Sequence, residues 1–122
     1  MRHRIGRSAV VRGSLGIAGV LLAPALAPAA EPPAFVLVLK DHRFSPAAFT
    51  APTGQKIKLT VINQDASTEE FDSHDLKVEE IIPPGGRINV TVGPLKRGIY
   101  HFMGEFHPQT AQGMVTAVFV AP

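Results

Sequence analysis

Lys56-Ile-Lys-Leu-Thr-Val-Ile-Asn63 is the stretch that decides the fold of this chain. Its apolar residues Ile57, Leu59 and Val61 occupy every second position, which is the period of a β-strand with one buried face. Arg87-Ile-Asn-Val-Thr-Val92 repeats this alternation further along the chain. The apolar residues of neither stretch follow a helical period, so both predict half-buried strands.

The segments around these two strands complete an all-β pattern. Apolar or aromatic runs predict further strands over 34–40, 98–102 and 114–120. Residues 51–54, 83–86 and 93–94 are rich in Pro and Gly and predict the turns between strands. Residues 71–76 are acidic, and their conformation stays undecided. Strands spaced about ten residues apart indicate an antiparallel β-sandwich or barrel.

The first residues have the pattern of a secretory signal peptide. Four arginines and no acidic residue lie in 1–12, an apolar run follows over 15–26, and small residues close the segment at 27–30. The alternative, an uncleaved membrane anchor, is disfavoured because the apolar run is too short to span a bilayer. We therefore predict a signal peptide over 1–29, cleaved after Ala29. One domain over 30–122 then reaches the periplasm and does not span the membrane.

Charge and cysteine usage exclude several classes of function. The whole chain has a formal net charge of +2, but all ten acidic and only eight of the twelve basic residues lie from Glu31 onward. The mature net charge is therefore −2, and no basic cluster predicts a nucleic-acid partner. The chain contains no cysteine. It has neither a disulfide nor a thiolate that would bind metal or act as a nucleophile.

The order of several short motifs resembles the cupredoxin family over nearly the whole mature chain. The stretches that carry the resemblance are Phe44-Ser-Pro46, Ala51-Pro-Thr-Gly54, Leu59-Thr-Val-Ile-Asn63, Pro84-Gly85, Gly98-Ile-Tyr-His-Phe102, His107 and Gly113-Met114. The resemblance implies a Greek-key β-sandwich of the cupredoxin kind.

Three longer stretches are similar to a narrower group, the EfeO-type cupredoxin-like proteins of bacterial periplasmic iron uptake. These stretches are Glu69-Glu-Phe-Asp-Ser-His-Asp-Leu76, Ile82-Pro-Pro-Gly85 and Gly104-Glu-Phe-His-Pro108. This resemblance implies a role beside an inner-membrane iron permease, with copper or iron as the bound metal.

The chain departs from the family at the blue-copper site, which uses two His, one Cys thiolate and a weak axial Met. The family pattern places its first His near Glu69 and its Cys at Gly104. Only His107 and Met114 match the pattern. Without a thiolate the chain cannot form the electron-transfer centre of ordinary cupredoxins, so the resemblance predicts the fold and not that chemistry.

A first candidate metal site lies at the end of the predicted barrel. It comprises His107, Met114 and a carboxylate from Glu69 or Glu70. Oxygen donors with imidazole suit iron, manganese or Cu(II) better than Cu(I). The alternatives are a solvated acidic loop, a loop histidine bonded to nearby backbone, and a methionine that fills the core.

A second candidate lies on a strand face. His101 and Met103 are two residues apart and share a face opposite Tyr100 and Phe102. A nitrogen and a soft sulfur at this spacing are suited to copper. His74 could join either site, and the alternative is a pair of exposed side chains.

No nucleophile elbow, phosphate-binding loop or zinc-protease spacing is present in the sequence. The leading hypothesis is a metal-handling protein that binds copper, iron or both in support of iron uptake. The alternatives are a copper-dependent ferrous oxidase or electron carrier, and a metal-free scaffold that binds partner proteins.

Overall fold

The computed structural model describes residues 31–121, in which every regular element is a β-strand. The predicted signal peptide, 1–29, lies outside these residues. The nine strands are β1 (Ala34–Lys40), β2 (Arg43–Ser45), β3 (Ala48–Pro52), β4 (Ile57–Asn63), β5 (Glu69–Ser73), β6 (Val78–Ile82), β7 (Arg87–Val92), β8 (Gly98–Gly104) and β9 (Gln112–Val118). In 31–121 no helix is long and apolar enough to cross a membrane.

The strands form two sheets, which confirms the predicted β-sandwich. The four-stranded sheet has the order β2-β1-β4-β7, and the five-stranded sheet has the order β3-β9-β8-β5-β6. Most strand pairs are antiparallel, as predicted, but β1 pairs with β4 and β3 pairs with β9 in parallel, so both sheets are mixed. Parallel neighbours need a crossover connection. Between β1 and β4 the chain passes through β2 and through β3 of the other sheet. The alternation of apolar residues along a strand indicates which face is buried, but it does not indicate whether the strand runs parallel or antiparallel to its neighbour.

The core lies between the sheets and confirms the alternation of the two deciding strands. Ile57, Leu59 and Val61 are buried in β4, and Leu37 and Leu39 are buried in the adjacent β1. Three core aromatic rings come together with centroids 5.1–5.9 Å apart, namely those of Phe44, Phe71 and Phe102. Burial of these side chains is the main stabilising term in a domain without disulfides.

The undecided acidic segment is the strand β5. Glu69, Phe71 and Ser73 point into the sandwich, and Glu70 and Asp72 point to the outer face. The inward positions include two polar residues, which is why an apolar alternation is missing from the sequence.

Asn63 organises one end of the sandwich. This buried side chain places its amide nitrogen 2.9–3.2 Å from the carbonyl oxygens of Ser67, Ile82 and Pro83. Its oxygen accepts a hydrogen bond from the backbone N–H of Asp65. These bonds join the loop after β4 to the end of β6 and so fix the place where β5 begins.

Candidate metal centre

Glu69 is a carboxylate buried at the start of β5, with 1% of its surface exposed. Its Oε1 accepts hydrogen bonds from the backbone N–H groups of Phe106 at 2.8 Å and Glu70 at 3.0 Å. Its Oε2 lies 2.7 Å from Nδ1 of His107. A buried charge is tolerated when it is paired and hydrogen-bonded in this way. Both oxygens of Glu69 are therefore engaged by the protein itself.

The same carboxylate explains the glycine at position 104. A Cβ atom built on Gly104 would lie 2.6 Å from Cδ of Glu69, 2.7 Å from its Oε2 and 2.8 Å from Cβ of Ala111. Real Cβ atoms do not approach other atoms so closely. The space for a side chain at position 104 is thus filled by Glu69. This end of the sandwich does not fit a blue-copper centre, because it lacks both the thiol and the room for one.

His42 covers the other side of His107. The two imidazole rings stack with centroids 3.5 Å apart and planes 12° from parallel. His42 is held in a turn where Asp41 and His42 have φ values of 53° and 57°. The carboxylate of Asp65 fixes this turn by accepting the backbone N–H groups of both residues, at 2.7 and 3.0 Å. Sequence reasoning missed His42, because no local motif links it to His107.

The outer face of the five-stranded sheet brings together three other candidate ligands. His101 of β8 lies directly opposite Met114 of β9, and Met103 lies two residues further along β8. All three line one cleft of about 490 Å³. Met114 is 37% exposed on this face, whereas Glu69 points inward from the same sheet. The structure thus groups Met114 with His101 and Met103 and not with Glu69. Metal binding at either group stays a prediction.

His74 lies beside this cleft, in the turn between β5 and β6. It lines a smaller cavity of about 160 Å³ together with His101 and Met103. The turn is fastened to β8 by two bonds to the backbone of His101. The hydroxyl group of Ser73 donates to the carbonyl oxygen of His101 at 2.6 Å, and the backbone N–H of His101 donates to Oδ2 of Asp75 at 2.8 Å.

The second glutamate of the predicted site, Glu70, belongs to an acidic cluster on the outer face. One carboxylate oxygen from each of Glu70, Asp72 and Glu79 lies within 4.8 Å of the others. Partial loss of water and then the charges of Glu79 and Asp72 raise the pKa of Glu70 above its usual value. Glu79 could not be singled out from sequence, because its place opposite Asp72 depends on the register of the β5–β6 hairpin.

Comparison with known proteins agrees with this fold. The family model described as "Cupredoxin-like domain" matches residues 14–117. An uncharacterized protein of Rickettsia prowazekii (strain Madrid E) is 44% identical over 79 residues, which cover 65% of this chain and 63% of that protein. The chain thus spans less than two thirds of this relative's length.

Two solved structures share the fold at low sequence identity. The metal-binding domain of the Cu(I)-exporting P-type ATPase CopA of Streptococcus pneumoniae, solved with Cu(I), matches with a TM-score of 0.62 and 16% identity. That match covers 70% of this chain and 84% of the domain. A purple cupredoxin of Nitrosopumilus maritimus matches with a TM-score of 0.53 and 19% identity, over 68% of this chain and 98% of the other.

Proposed function

Because the chain belongs to the family of cupredoxin-like domains, we propose that it is an exported metal-handling protein that binds copper without a thiolate and supports bacterial iron uptake. The observation that carries this proposal is the cleft on the outer face, where His101, Met103 and Met114 stand together. Imidazole suits copper and iron alike, but thioether sulfur is a soft ligand that suits Cu(I), so the two methionines favour copper.

The arrangement of the opposite, inner site favours metal handling over electron transfer. Glu69 and His107 satisfy each other, and Glu69 also takes up the room at Gly104. A copper ion at this end would compete with these hydrogen bonds for Glu69 and would find no thiolate. The electron-carrier alternative depends on that thiolate, so it is the weaker hypothesis.

The solved structures that share this fold include a copper-binding domain. One of the two solved structures compared above is a metal-binding domain with Cu(I), and the other is a purple cupredoxin. Their low identity to this chain carries over the fold and not the ligands. The metal assignment therefore depends on the residues of the cleft.

Export and the link to iron uptake are supported by sequence patterns. Residues 1–29 have the charge and hydropathy of a signal peptide, and the stretches 69–76, 82–85 and 104–108 are similar to the EfeO-type group. In this proposal an inner-membrane iron permease is the protein partner, and the domain supplies or stores the copper that the uptake system uses.

Expression of the full chain in a Gram-negative host tests the proposal. We expect the protein in the periplasmic fraction, with an N-terminus that begins at Ala30 by mass spectrometry. Purified protein should retain copper in a stoichiometric amount and lack the intense blue colour of a Cys–copper site. Protein that takes up no copper after chelator treatment and reloading would overturn the metal-handling function.

The iron-uptake role needs a separate test in the native organism. A strain that lacks the gene should grow more slowly in iron-poor medium, and the wild-type gene should restore growth. The triple variant His101→Ala, Met103→Leu, Met114→Leu should not restore growth if copper binding is what the pathway uses. Equal growth with and without the gene would contradict the iron-uptake role.

A further inference from the structure

We infer that the outer-face cleft is a Cu(I) site with three ligands: an imidazole nitrogen of His101 and the thioether sulfurs of Met103 and Met114. This inference rests on the proposed function and names its ion and its ligands. Strand β8 supplies two of these ligands, His101 and Met103, and Met114 of the adjacent strand β9 supplies the third.

Sheet geometry places the three donors within reach of one ion. His101 and Met114 are direct cross-strand partners in antiparallel strands, so their Cβ atoms lie about 5 Å apart on the same face. Met103 follows His101 by two positions on that face, about 7 Å along the strand. Methionine has three rotatable side-chain bonds and adapts to irregular gaps, so both sulfurs can converge toward the ring of His101.

The walls of the cleft leave an open space above the backbone. Ala47, Ala48 and Gly113 contribute almost no side chain to it. On the core side of the same strand, Gly113 leaves room for the buried ring of Phe102, because a Cβ atom at this position would lie 2.3–2.4 Å from that ring. The long side chains that stand around this open space are those of the two methionines, the histidine and Gln112, which lies opposite Met103 and donates its amide N–H to the carbonyl of Pro108.

The exposure of the methionines also points to a ligand role. A methionine that only fills the core would be buried, but Met114 is 37% exposed and Met103 is half-buried, on the side of the sheet that faces away from the core. An accessible site is suited to an ion that is received from one partner and passed to another.

The charge of the donor set selects the oxidation state. Two thioethers and a neutral imidazole bring no negative charge, and no carboxylate is among the described residues that line this cleft. Soft neutral donors suit Cu(I), whereas carboxylate and water oxygens suit Mn(II) and Mg(II), and non-haem Fe(II) sites add a carboxylate to their imidazoles. The acidic side chains Asp72 and Asp75 line the smaller cavity on the other side of His101.

Competition for Cu(I) against a chromophoric chelator under anaerobic conditions tests the site, with the full chain purified after expression. Met103→Leu, Met114→Leu and His101→Ala should each weaken Cu(I) binding by at least about tenfold, since even outer-shell changes at metal sites cost about 10–100-fold. Leucine keeps the volume and removes the sulfur, so the fold is retained. His42→Ala, which removes an imidazole that does not line the cleft, is the matched control and should bind Cu(I) like the wild type.

X-ray absorption of the Cu(I)-loaded protein gives an independent readout. We expect sulfur and nitrogen scatterers in the wild type and fewer sulfur scatterers in Met114→Leu, whose exposed position makes misfolding an inadequate explanation. If the wild type binds Cu(I) and all three variants bind it equally well, this site is wrong and the metal-handling function stands. If the wild type binds no copper, the proposed function itself fails.

Discussion

Glu69 and Gly104 form a matched pair, because the side chain of Glu69 fills the space that a side chain at position 104 would need. The carboxylate of Glu69 lies where a side chain at position 104 would begin, and it is fixed there by two backbone N–H groups and by His107. Two of these contacts satisfy backbone N–H groups that would otherwise be left without a hydrogen-bond partner in the protein interior. The absence of a side chain at position 104 is therefore a packing requirement.

Gly104→Ala should lower the free energy of unfolding by about 1–3 kcal/mol, the usual cost of overpacking a core. The new methyl group would overlap the carboxyl group of Glu69 and Cβ of Ala111. Urea unfolding measures the effect. In a Glu69→Ala background the same substitution should cost clearly less, because neighbouring residues are not additive. Equal costs in both backgrounds would contradict the shared space.

His107→Ala should destabilise the fold by about 1.5–3 kcal/mol, the value of a hydrogen bond to a charged group. It removes the donor 2.7 Å from the buried Oε2 of Glu69 and also the ring on which His42 stacks. His101→Ala is the matched control. As an exposed strand residue away from this pair, it should change the free energy of unfolding by about 0.5 kcal/mol or less. Equal destabilisation by the two variants would argue against a structural role for the contact between His107 and Glu69.

At the scale of the elements, the β5–β6 hairpin collects negative charge on the outer face. Glu70 and Asp72 of β5 face Glu79 of β6 across the hairpin. The raised pKa of Glu70 means that the folded chain holds this proton more tightly than the unfolded chain does. The resulting stability is present below the ordinary carboxyl pKa and is lost as the pH rises through the raised value.

Glu70→Gln should therefore raise the Tm at neutral pH, where it removes a repelled charge. The gain should vanish in acid, where the carboxyl group is protonated in the folded and the unfolded state alike. Thermal unfolding at several pH values measures this. Glu80→Gln on the same hairpin is a control, since its charge is not among those that raise the pKa of Glu70. A Tm gain that is independent of pH would exclude charge repulsion as the cause.

Strands in which apolar residues alternate over several positions were predictable from the sequence, whereas the short strands β2, β3 and β6 and the polar strand β5 were not. β4 and β7 show their period of two directly, because Ile57, Leu59 and Val92 are core residues. β5 lacks an apolar period of two, because two of its three buried residues, Glu69 and Ser73, are polar and have hydrogen-bond partners far away in the sequence. Burial of a polar group depends on tertiary hydrogen bonds that no local pattern records.

The candidate sites divide along the same line. The shared face of His101 and Met103 follows from the spacing of two and was predicted. Met114 joins these two residues because of the register between β8 and β9. His42 stacks on His107 because Asp65 holds the turn that contains His42. Both are long-range pairings, which the sequence of a single chain does not encode in any local pattern.

At the scale of the whole molecule, two sheets without a cross-link depend on core burial alone, since the chain has no cysteine. Reducing agent should leave the Tm unchanged. Cu(I) in excess should raise the Tm by mass action, because at a concentration 100 times the Kd it adds about 2.7 kcal/mol to the free energy of unfolding. Differential scanning calorimetry measures both effects. The double variant Met103→Leu, Met114→Leu should keep the unloaded Tm and lose most of the rise, and an equal rise would place the copper elsewhere.

The pairing of Glu69 with Gly104 has a consequence for how such a chain could evolve. A blue-copper centre arranged on the family pattern would require Gly104→Cys and Glu69→His together. Gly104→Cys alone would bring a side chain into the carboxylate. Glu69→His alone would remove the partner of His107 and of two backbone N–H groups. Each single step crosses a less stable intermediate that has gained no electron-transfer centre. The interlocked pair therefore has to change at both positions before a thiolate site can form at this end of the sandwich, which is a barrier that no single substitution crosses.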